Sequence, residues 1–486
     1  MTPTAEQLDC IEKAKSNNKV TIEALAGSGK TSTLAMIANS LKEKSIYLAF
    51  NKISAQEASS KFPSHVECRT THSLAYASHG HLLKDKLTRP KGSYVNVGGT
   101  GSEIAKLYKI KPFKTISANY MGLMVKNTVT CFEQSCADSL NETHIANADV
   151  LDMQEIGVDL KLIKPVLVKY AIALWEDRID VTKNVLATHD TYMKLWQLSK
   201  PQLPYKIIYL DEAQDSSMCI MDVISIQNTA KIILVGDSRQ NIYGWRGSVN
   251  AMNMVKGAVT CSLSKSFRFG KEVADIANYI LANETSLKGT ETIDSVVGTG
   301  KVDKSLPYTV LCRSNAYLLE HAIADIEEGK SVCIEIDVKD FIKLLESATA
   351  LQKGLLHLVK HEKLIPYNDF ADISDDDEDR ELGRVVKLIK SGSSARIISI
   401  LNSYTPPANP HIRYTTGHKS KGREFSQVIL GDDFPSHYKD KKWVGLSTEN
   451  QNILYVAATR AINKLDLNRS VIEAVLKYKP SNLAGN

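Results

Sequence analysis

The residues with the clearest chemical potential lie between 24 and 31, in the sequence Ala-Leu-Ala-Gly-Ser-Gly-Lys-Thr. The segment follows the apolar run Val20 to Ala24 and precedes the helical pattern Leu34 to Leu41, so a strand, a tight loop and a helix are predicted in that order. Such glycines let backbone N–H groups surround phosphate oxygens, while the Lys and Thr reach the outer phosphates and Mg²⁺. We therefore predict a phosphate-binding loop, although Ala24 replaces the first glycine of the usual pattern. The residues expected to contact a nucleotide are Ala26, Gly27, Ser28, Gly29, Lys30, Thr31 and Ser32, with Thr31 also on the metal.

A pair of adjacent acids lies far downstream, where the apolar run 207–210 ends in Asp211 and Glu212. Such a strand end can give one carboxylate to Mg²⁺ and use the next to orient or deprotonate an attacking water. We expect Asp211 to hold the metal and Glu212 to act as the general base. Adjacent acids also occur at helix N-termini, where the helix dipole stabilises them. The phosphate loop upstream favours the catalytic interpretation.

The elements that must position these residues follow an α/β pattern. With 486 residues, 43% of them hydrophobic and 24% charged, the chain is long enough for about three folded domains and is not typical of disordered or coiled-coil proteins. Helical patterns separate many of the short apolar runs, which predicts parallel sheets whose ligands collect at the carboxyl ends of the strands. The predicted strands are 20–24, 45–50, 206–210, 231–235, 308–311 and 427–430.

Charge and apolar runs narrow the classes of protein further. A formal net charge of +5 permits nucleic-acid binding without requiring it. No run approaches the roughly 18 apolar residues of a membrane span, and the first residues lack the layout of a signal peptide. We expect no membrane partner and a cytoplasmic location in a bacterium or a virus-infected host, or a nuclear one in a eukaryote. The eight scattered cysteines favour free thiols over a zinc site.

Further motifs follow in a fixed order between residues 7 and 461. They are Gln7, 50–52 (Phe-Asn-Lys), 71–73 (Thr-His-Ser), 235–247 (Val-Gly-Asp-Ser-Arg-Gln-Asn-Ile-Tyr-Gly-Trp-Arg-Gly), 266–268 (Ser-Phe-Arg), 416–425 (Thr-Gly-His-Lys-Ser-Lys-Gly-Arg-Glu-Phe) and 454–461 (Leu-Tyr-Val-Ala-Ala-Thr-Arg-Ala). With the phosphate loop and the acid pair, this set resembles superfamily 1 DNA helicases of the UvrD/Rep type. Segments 188–201 and 266–270 most resemble the motor region of the F-box DNA helicases. We expect no F-box here, so their ubiquitin-ligase role is not carried over.

The resemblance implies an α/β fold with two RecA-like parallel-sheet motor domains, each with an inserted, mainly helical subdomain, and ATP in the cleft between the motors. The expected divisions are motor domain 1A at 1–80 and 188–262, insertion 1B at 81–187, motor domain 2A at 263–324 and 411–486, and a small insertion 2B at 325–410.

The resemblance also assigns roles around ATP and Mg²⁺. Gln7 is expected to read the adenine edge, Phe267 to stack on the base and Glu424 to lie near the ribose. Planar guanidinium groups suit the charge that spreads over a transferred phosphoryl group. The expected catalytic set is Lys30, Glu212, Gln240, Arg268 and Arg460.

Single-stranded DNA is the second ligand that the resemblance implies. Tyr243 and Trp245 match aromatics on which bases stack, and the remaining candidates match positions near the DNA backbone. Outside this motif set, both aromatics are typical of ordinary core packing. The candidate DNA-binding residues are Asn51, His72, Tyr243, Trp245, Arg246 and His418.

The leading functional hypothesis is an ATP-dependent helicase that moves on single-stranded DNA with 3′-to-5′ polarity, in replication, recombination or repair. Expected partners are single-stranded DNA and single-strand/duplex junctions, with recombinase or replication proteins as further candidates, and the motor is expected to be monomeric. Two alternatives stay open. One is a protein-remodelling translocase that removes a recombinase or other proteins from DNA, and the other is a nucleotide-switched DNA clamp that does not unwind.

Overall fold

The computed structural model describes residues 2–88, 96–244, 250–373 and 380–479. The chain forms two compact units. The first comprises Met1–Ile22, Thr31–Gly236 and Tyr243–Cys261, and the second comprises Glu23–Lys30, Asp237–Ile242 and Ser262–Asn486. The phosphate loop and the segment after residue 236 thus cluster with the second unit.

A six-stranded sheet carries the first set of motifs. Its order is β3-β2-β4-β5-β1-β6, and β2 pairs in parallel with β3 and β4, as β4 does with β5. All residues of β2 and β4 are buried, which explains why both are apolar runs without alternation. The strands are β1 (Lys19–Ala24), β2 (Ser45–Ala49), β3 (Val66–Thr70), β4 (Ile207–Leu210), β5 (Lys231–Gly236) and β6 (Val259–Leu263).

Ten helices accompany this sheet in the described part of the chain. The first begins with a capping box, in which Thr4 and Gln7 satisfy each other's backbone N–H groups. Six of these ten helices lie between β3 and β4, and four of these six, α5 to α8, fall within 81–187, where a helical insertion was expected. The domain boundaries themselves stay predictions. The helices are α1 (Ala5–Ser16), α2 (Lys30–Leu41), α3 (Lys52–Lys61), α4 (Thr71–Ser78), α5 (Gly101–Leu107), α6 (Ala118–Gln134), α7 (Asn147–Glu155), α8 (Leu160–Ile179), α9 (His189–Leu198) and α10 (Met218–Ser225).

The second sheet also has six strands, in the order β7-β14-β11-β8-β10-β9, and its neighbouring strands are parallel. The strand β9 lies inside the range expected for the second insertion and forms the edge of this sheet. A small antiparallel pair, β12 and β13, stands apart. The strands are β7 (Val296–Gly298), β8 (Tyr308–Cys312), β9 (Val332–Ile334), β10 (Ile412–Thr416), β11 (Phe425–Leu430), β12 (Tyr438–Lys439), β13 (Lys442–Trp443) and β14 (Ala461–Asp466).

Helices of the second unit build a core on β8, β9 and β10 from the buried faces of α12 to α15. Among the residues that the structure describes, no helix of either unit is long and apolar enough to cross a membrane. The helices are α11 (Lys271–Ile280), α12 (Asn315–Glu327), α13 (Val338–Gln352), α14 (Arg380–Lys390), α15 (Ser394–Ser403), α16 (Gly417–Ser420), α17 (Thr448–Ala458) and α18 (Arg469–Tyr478).

The predicted α/β class is confirmed, and all six predicted strands form with ends shifted by at most two residues. The predicted helix after the phosphate loop forms as well, but it begins at Lys30 rather than Leu34. Six further strands of the two sheets were not predicted: β3, β6, β7, β9, β10 and β14. Several are three to five residues long, and β3 and β6 are only partly buried, so their apolar signal is weak.

A buried ion pair joins the insertion to the helix before β4. The Arg178 guanidinium of α8 lies 3.1 and 3.2 Å from the two carboxylate oxygens of Glu133 on α6, and both side chains are almost fully buried. Thr191 of α9 donates to the same carboxylate at 2.6 Å, and Thr188 does so at 3.2 Å. The helices α6, α8 and α9 are therefore joined to one another through this buried ion pair.

We expect Arg178→Leu to lower the free energy of unfolding of the first unit by about 3–5 kcal/mol, because it leaves the Glu133 carboxylate buried without its cation. Lys15→Leu, which removes an exposed partner of Glu12, is the control and should cost less than about 1 kcal/mol. Urea unfolding of both variants measures the difference. Equal shifts in the two variants would contradict the prediction, and Glu133→Met added to Arg178→Leu should recover part of the loss.

Candidate functional site

The loop between β1 and α2 has the backbone shape of an anion-binding loop. Gly27 and Gly29 adopt φ values of +73° and +79°, in the left-handed region that favours glycine. A Cβ atom on Gly27 would lie 2.4 Å from Ser266 Oγ and 2.8 Å from Arg268 Cβ, so a larger residue does not fit. The Gly27 carbonyl accepts the backbone N–H of Phe267 at 2.8 Å. The loop is therefore held in one shape directly before the N-terminus of a twelve-residue helix.

The predicted metal ligands meet in the first unit. Thr31 Oγ1 lies 3.3 Å from Asp211 Oδ2, although the two residues are 180 positions apart. Neighbouring ligands of octahedral Mg²⁺ at 2.0–2.1 Å lie roughly 2.9 Å apart, so this hydroxyl and carboxylate need only a small adjustment to share the ion. Both are oxygen donors of the kind that Mg²⁺ prefers. The residues fit Mg²⁺, which would supply positive charge for phosphate oxygens there.

Tyr47 contacts the same carboxylate and was missed by the sequence reasoning. It lies on β2 opposite Tyr209 of β4, and its hydroxyl donates to Asp211 Oδ2. Burial and the charge of Asp211 raise the pKa of Tyr47, so the phenol stays a proton donor. The sequence offers no signal for this bond, because it depends on β2 lying beside β4.

Glu212 has a strained backbone at the position expected for the base. Its φ and ψ are 51° and 43°, a left-handed conformation that is uncommon for a residue with a side chain. The Asp211 carboxylate accepts the Glu212 backbone N–H at 2.9 Å, and Glu212 Oε2 accepts Gln214 Nε2 at 2.5 Å. These bonds hold the second acid in place directly beside the first.

The two predicted arginines of the second unit meet at Thr459. Arg268 donates to the Thr459 carbonyl at 3.2 Å, and Arg460 donates to the Thr459 hydroxyl at 3.1 Å. Glu424, which was assigned to the ribose, lies 2.7 Å from Arg268 Nε. Arg460 is 1% exposed and also donates to the carbonyls of Val456 and Arg423. The structure thus brings both guanidinium groups together, and their part in hydrolysis stays a prediction.

Gln240 is part of a buried network with Asp237. Its side chain donates to Asp237 Oδ2 at 2.6 Å, and its carbonyl accepts Lys421 Nζ at 2.5 Å. Burial raises the pKa of Asp237, while the nearby Lys30 ammonium acts in the opposite direction. The contact with Lys421 was not foreseen, although this lysine lies in a motif that the sequence analysis identified.

The predicted adenine contact, Gln7, is buried in the first unit. Its amide donates to Thr33 Oγ1 at 3.0 Å, and its oxygen accepts the Thr4 backbone N–H at 3.0 Å. Phe267 of the second unit is half-buried next to the phosphate loop. Both assignments to the base stay predictions.

A cavity of about 500 Å³ in the first unit brings several predicted residues together. It is lined by both acids of the candidate ATP site and by two candidate DNA residues, His72 and Tyr243. Phe50 also lines it and lies parallel to Tyr243, with ring centroids 6.1 Å apart and planes at 10°. Phe50 is exposed and Tyr243 is half-buried, and aromatic rings in this arrangement offer flat surfaces of the kind on which bases stack.

The structure describes two of the other four DNA candidates. Asn51 is exposed and caps α3 by accepting the Ser54 N–H at 2.9 Å, and His418 lies on α16 in the second unit. Trp245 and Arg246 lie outside the described residues.

Asp190 of α9 also lines the cavity and was not predicted. Its carboxylate accepts Gln134 Nε2 of α6 at 3.1 Å and lies 3.9 Å from His72 Nε2. Helix α6 of the expected insertion also reaches the cavity, with Thr130 and Gln134 in its lining. The motif-like segment 188–201 was a signal for α9, but it did not identify this contact.

These elements define an α/β protein with a phosphate loop, a separate acid pair and two parallel sheets. The family model described as the UvrD/REP helicase N-terminal domain matches residues 4–256, and that of the UvrD-like helicase C-terminal domain matches residues 339–470. The first match covers more than half of the 486 residues, so the chain belongs to the UvrD/Rep helicase family.

Three relatives show how far the similarity extends. F-box DNA helicase 1 of Gallus gallus is 31% identical over 500 residues, which cover 93% of this chain and 47% of that protein. F-box DNA helicase protein 1 of Schizosaccharomyces pombe is 30% identical over 518 residues, with 96% and 57% covered. DNA helicase II of Escherichia coli strain K12 is 29% identical over 124 residues, with 23% and 16% covered. The chain spans about half the length of the two F-box relatives.

We expect Gly27→Ala to weaken Mg²⁺-nucleotide binding by at least about tenfold, because the new methyl group collides with Ser266 and requires a left-handed backbone. Gly392→Ala is the control, since Gly392 has a similar φ of +72° and open space around it. That variant should lose about 1–2 kcal/mol of stability and no nucleotide affinity. Calorimetric titration with ADP and Mg²⁺ checks both, and equal affinities would show that the loop tolerates the methyl group.

Proposed function

We propose that the chain is an ATP-driven motor that moves on single-stranded DNA and unwinds duplex DNA in the 3′-to-5′ direction. The observation that carries the proposal is the cavity of the first unit, which is lined by Asp211 and Glu212 as well as by His72 and Tyr243. DNA that binds in this cavity can directly change the surroundings of the two acids. Membership in the UvrD/Rep helicase family supports the same function.

The residues divide into those that bind ATP and those that act on its outer phosphate. The glycines of the loop and Lys30 bind the phosphates, while Thr31 and Asp211 hold Mg²⁺. Glu212 orients and deprotonates the attacking water. Gln240, Arg268 and Arg460 stabilise the charge on the outer phosphoryl group. The bond between the Asp211 carboxylate and the Glu212 N–H supports this division, because it ties the position of the base to that of the metal ligand.

On the DNA side, the parallel rings of Phe50 and Tyr243 provide stacking surfaces that do not depend on base sequence. Asn51, His72 and His418 contact the sugar-phosphate backbone, together with Arg246. Trp245 is proposed as a further stacking residue. Stacking and backbone contacts fit a motor that must move along any sequence.

Strand displacement from tailed duplexes tests the direction of movement and whether the protein unwinds DNA. We expect the protein to displace the strand from a 3′-tailed duplex with ATP, and to leave a 5′-tailed duplex intact. Lys30→Ala is the control and should displace neither. Binding of DNA with ATP but no displacement from either substrate would favour the clamp. Removal of a recombinase from single strands without displacement would favour the remodelling translocase.

A second experiment tests the assignment of the base. Glu212→Gln should bind ATP with near-normal affinity but hydrolyse it roughly 10²- to 10⁴-fold more slowly, because the amide cannot accept the proton of the attacking water. Glu176→Gln, at an exposed acid of α8, is the matched control and should turn over normally. Quenched-flow measurement of a single turnover checks the rate. A normal rate in Glu212→Gln would remove this residue from the chemistry.

A further inference from the structure

One buried hydroxyl group in the second unit contacts two of the predicted ATP motifs. Tyr455 lies on α17 and is fully buried. Its oxygen lies 3.0 Å from the backbone nitrogen of Ala26 and 3.1 Å from Asp237 Oδ2. The first contact reaches the phosphate loop and the second reaches the segment that contains Gln240.

The direction of these two hydrogen bonds follows from the partners. A backbone N–H can only donate, so the phenol oxygen accepts from Ala26 and gives its own proton to the Asp237 carboxylate. Burial and the charge of Asp237 raise the pKa of Tyr455 well above its usual value. The phenol therefore keeps the proton that this arrangement needs.

Asp237 also forms a hydrogen bond with Gln240. The same Oδ2 atom accepts Gln240 Nε2 at 2.6 Å, and Oδ1 accepts the Arg239 N–H at 3.1 Å. The carboxylate also attracts the Lys30 ammonium of the phosphate loop. Its position thus affects both the predicted phosphate ligand and the predicted outer-phosphate residue.

The helix that carries Tyr455 also leads to the two arginines. Thr459, one turn further along the chain, accepts Arg268 and Arg460, and its own hydroxyl donates to the Tyr455 carbonyl at 2.8 Å. Tyr455 therefore lies between the phosphate loop and the guanidinium pair, within one compact unit.

From this network we infer that Tyr455 is a positioning residue of the ATP site. Through Ala26 and Asp237, it fixes the position of the phosphate loop relative to Gln240. The inference rests on the proposed function, because the reaction it concerns is ATP hydrolysis. It goes beyond that proposal because Tyr455 has no role there. We assign Tyr455 no contact with ATP, and it acts through its two partners.

Tyr455→Phe tests the inference, since it removes one oxygen atom and keeps the ring in the core. Hydrogen bonds to charged groups contribute enough that their loss should lower kcat/KM for ATP by roughly 10- to 100-fold. Affinity for a non-hydrolysable ATP analogue with Mg²⁺ should also fall by about tenfold or more. Tyr414→Phe is the matched control in the same unit, because Tyr414 is buried and donates to Asp325 at 2.7 Å on the second sheet. It should leave both quantities within about twofold.

A double-mutant cycle separates positioning from a general packing role. If Tyr455 acts through Asp237, then Tyr455→Phe combined with Asp237→Asn should be no worse than the more severe single variant. Effects that multiply, or a Tyr455→Phe protein that behaves like Tyr414→Phe, would overturn the inference. Should Tyr455→Phe fail to fold, Asp237→Asn alone must show the same two losses, and normal values there would overturn it as well.

The two readouts also separate this inference from the proposed function. A wild-type protein that binds the ATP analogue but shows no DNA-dependent turnover would contradict the motor. The analogue affinities of Tyr455→Phe and Tyr414→Phe would still decide the positioning role, because they need no hydrolysis.

Discussion

The hydrogen bond between Thr31 and Asp211 is the contact on which the candidate site depends. It joins the start of α2 to the end of β4, two positions that are 180 residues apart and separated by the entire helical insertion. Parallel strands make such a contact possible, because their carboxyl ends lie along one edge of the sheet. The buried strands β2 and β4 therefore do more than fill the core. Their register sets where the two acids stand relative to the cavity of the first unit.

Buried tyrosine hydroxyls refine this arrangement in both units. Tyr47 donates to Asp211 in the first unit, and Tyr455 donates to Asp237 in the second. In each case a neutral donor meets a buried carboxylate, which offsets part of the cost of removing that charge from water. Phenol groups suit the role because their rings pack in an apolar core and only the oxygen needs a polar partner. Asp211 and Asp237 thus each have a fixed hydrogen-bond donor beside them.

The sequence predicted the parts of the molecule that are local in the chain. The glycines at 27 and 29, the acids at 211 and 212 and six apolar strands could all be read from residue type and spacing. Short or half-exposed strands such as β3 and β9 could not, because a few residues carry too little periodicity. The contacts of the predicted residues could not be predicted from the sequence either. Tyr47, Asp190 and Lys421 make these contacts because segments distant in the chain pack together. For Glu424, the resemblance suggested the ribose, and the structure adds an ion pair with Arg268.

We propose that DNA and ATP act on one another through the cavity that is lined by Asp211, Glu212, His72 and Tyr243. The most direct test is a titration of ATP turnover with single-stranded oligonucleotide, alongside binding of the same oligonucleotide by fluorescence anisotropy. If the two ligands are coupled in this way, turnover rises with DNA and saturates at the concentration that saturates binding. The variant Tyr243→Ala then shifts both curves together. Tight DNA binding with unchanged ATP turnover would contradict the claim.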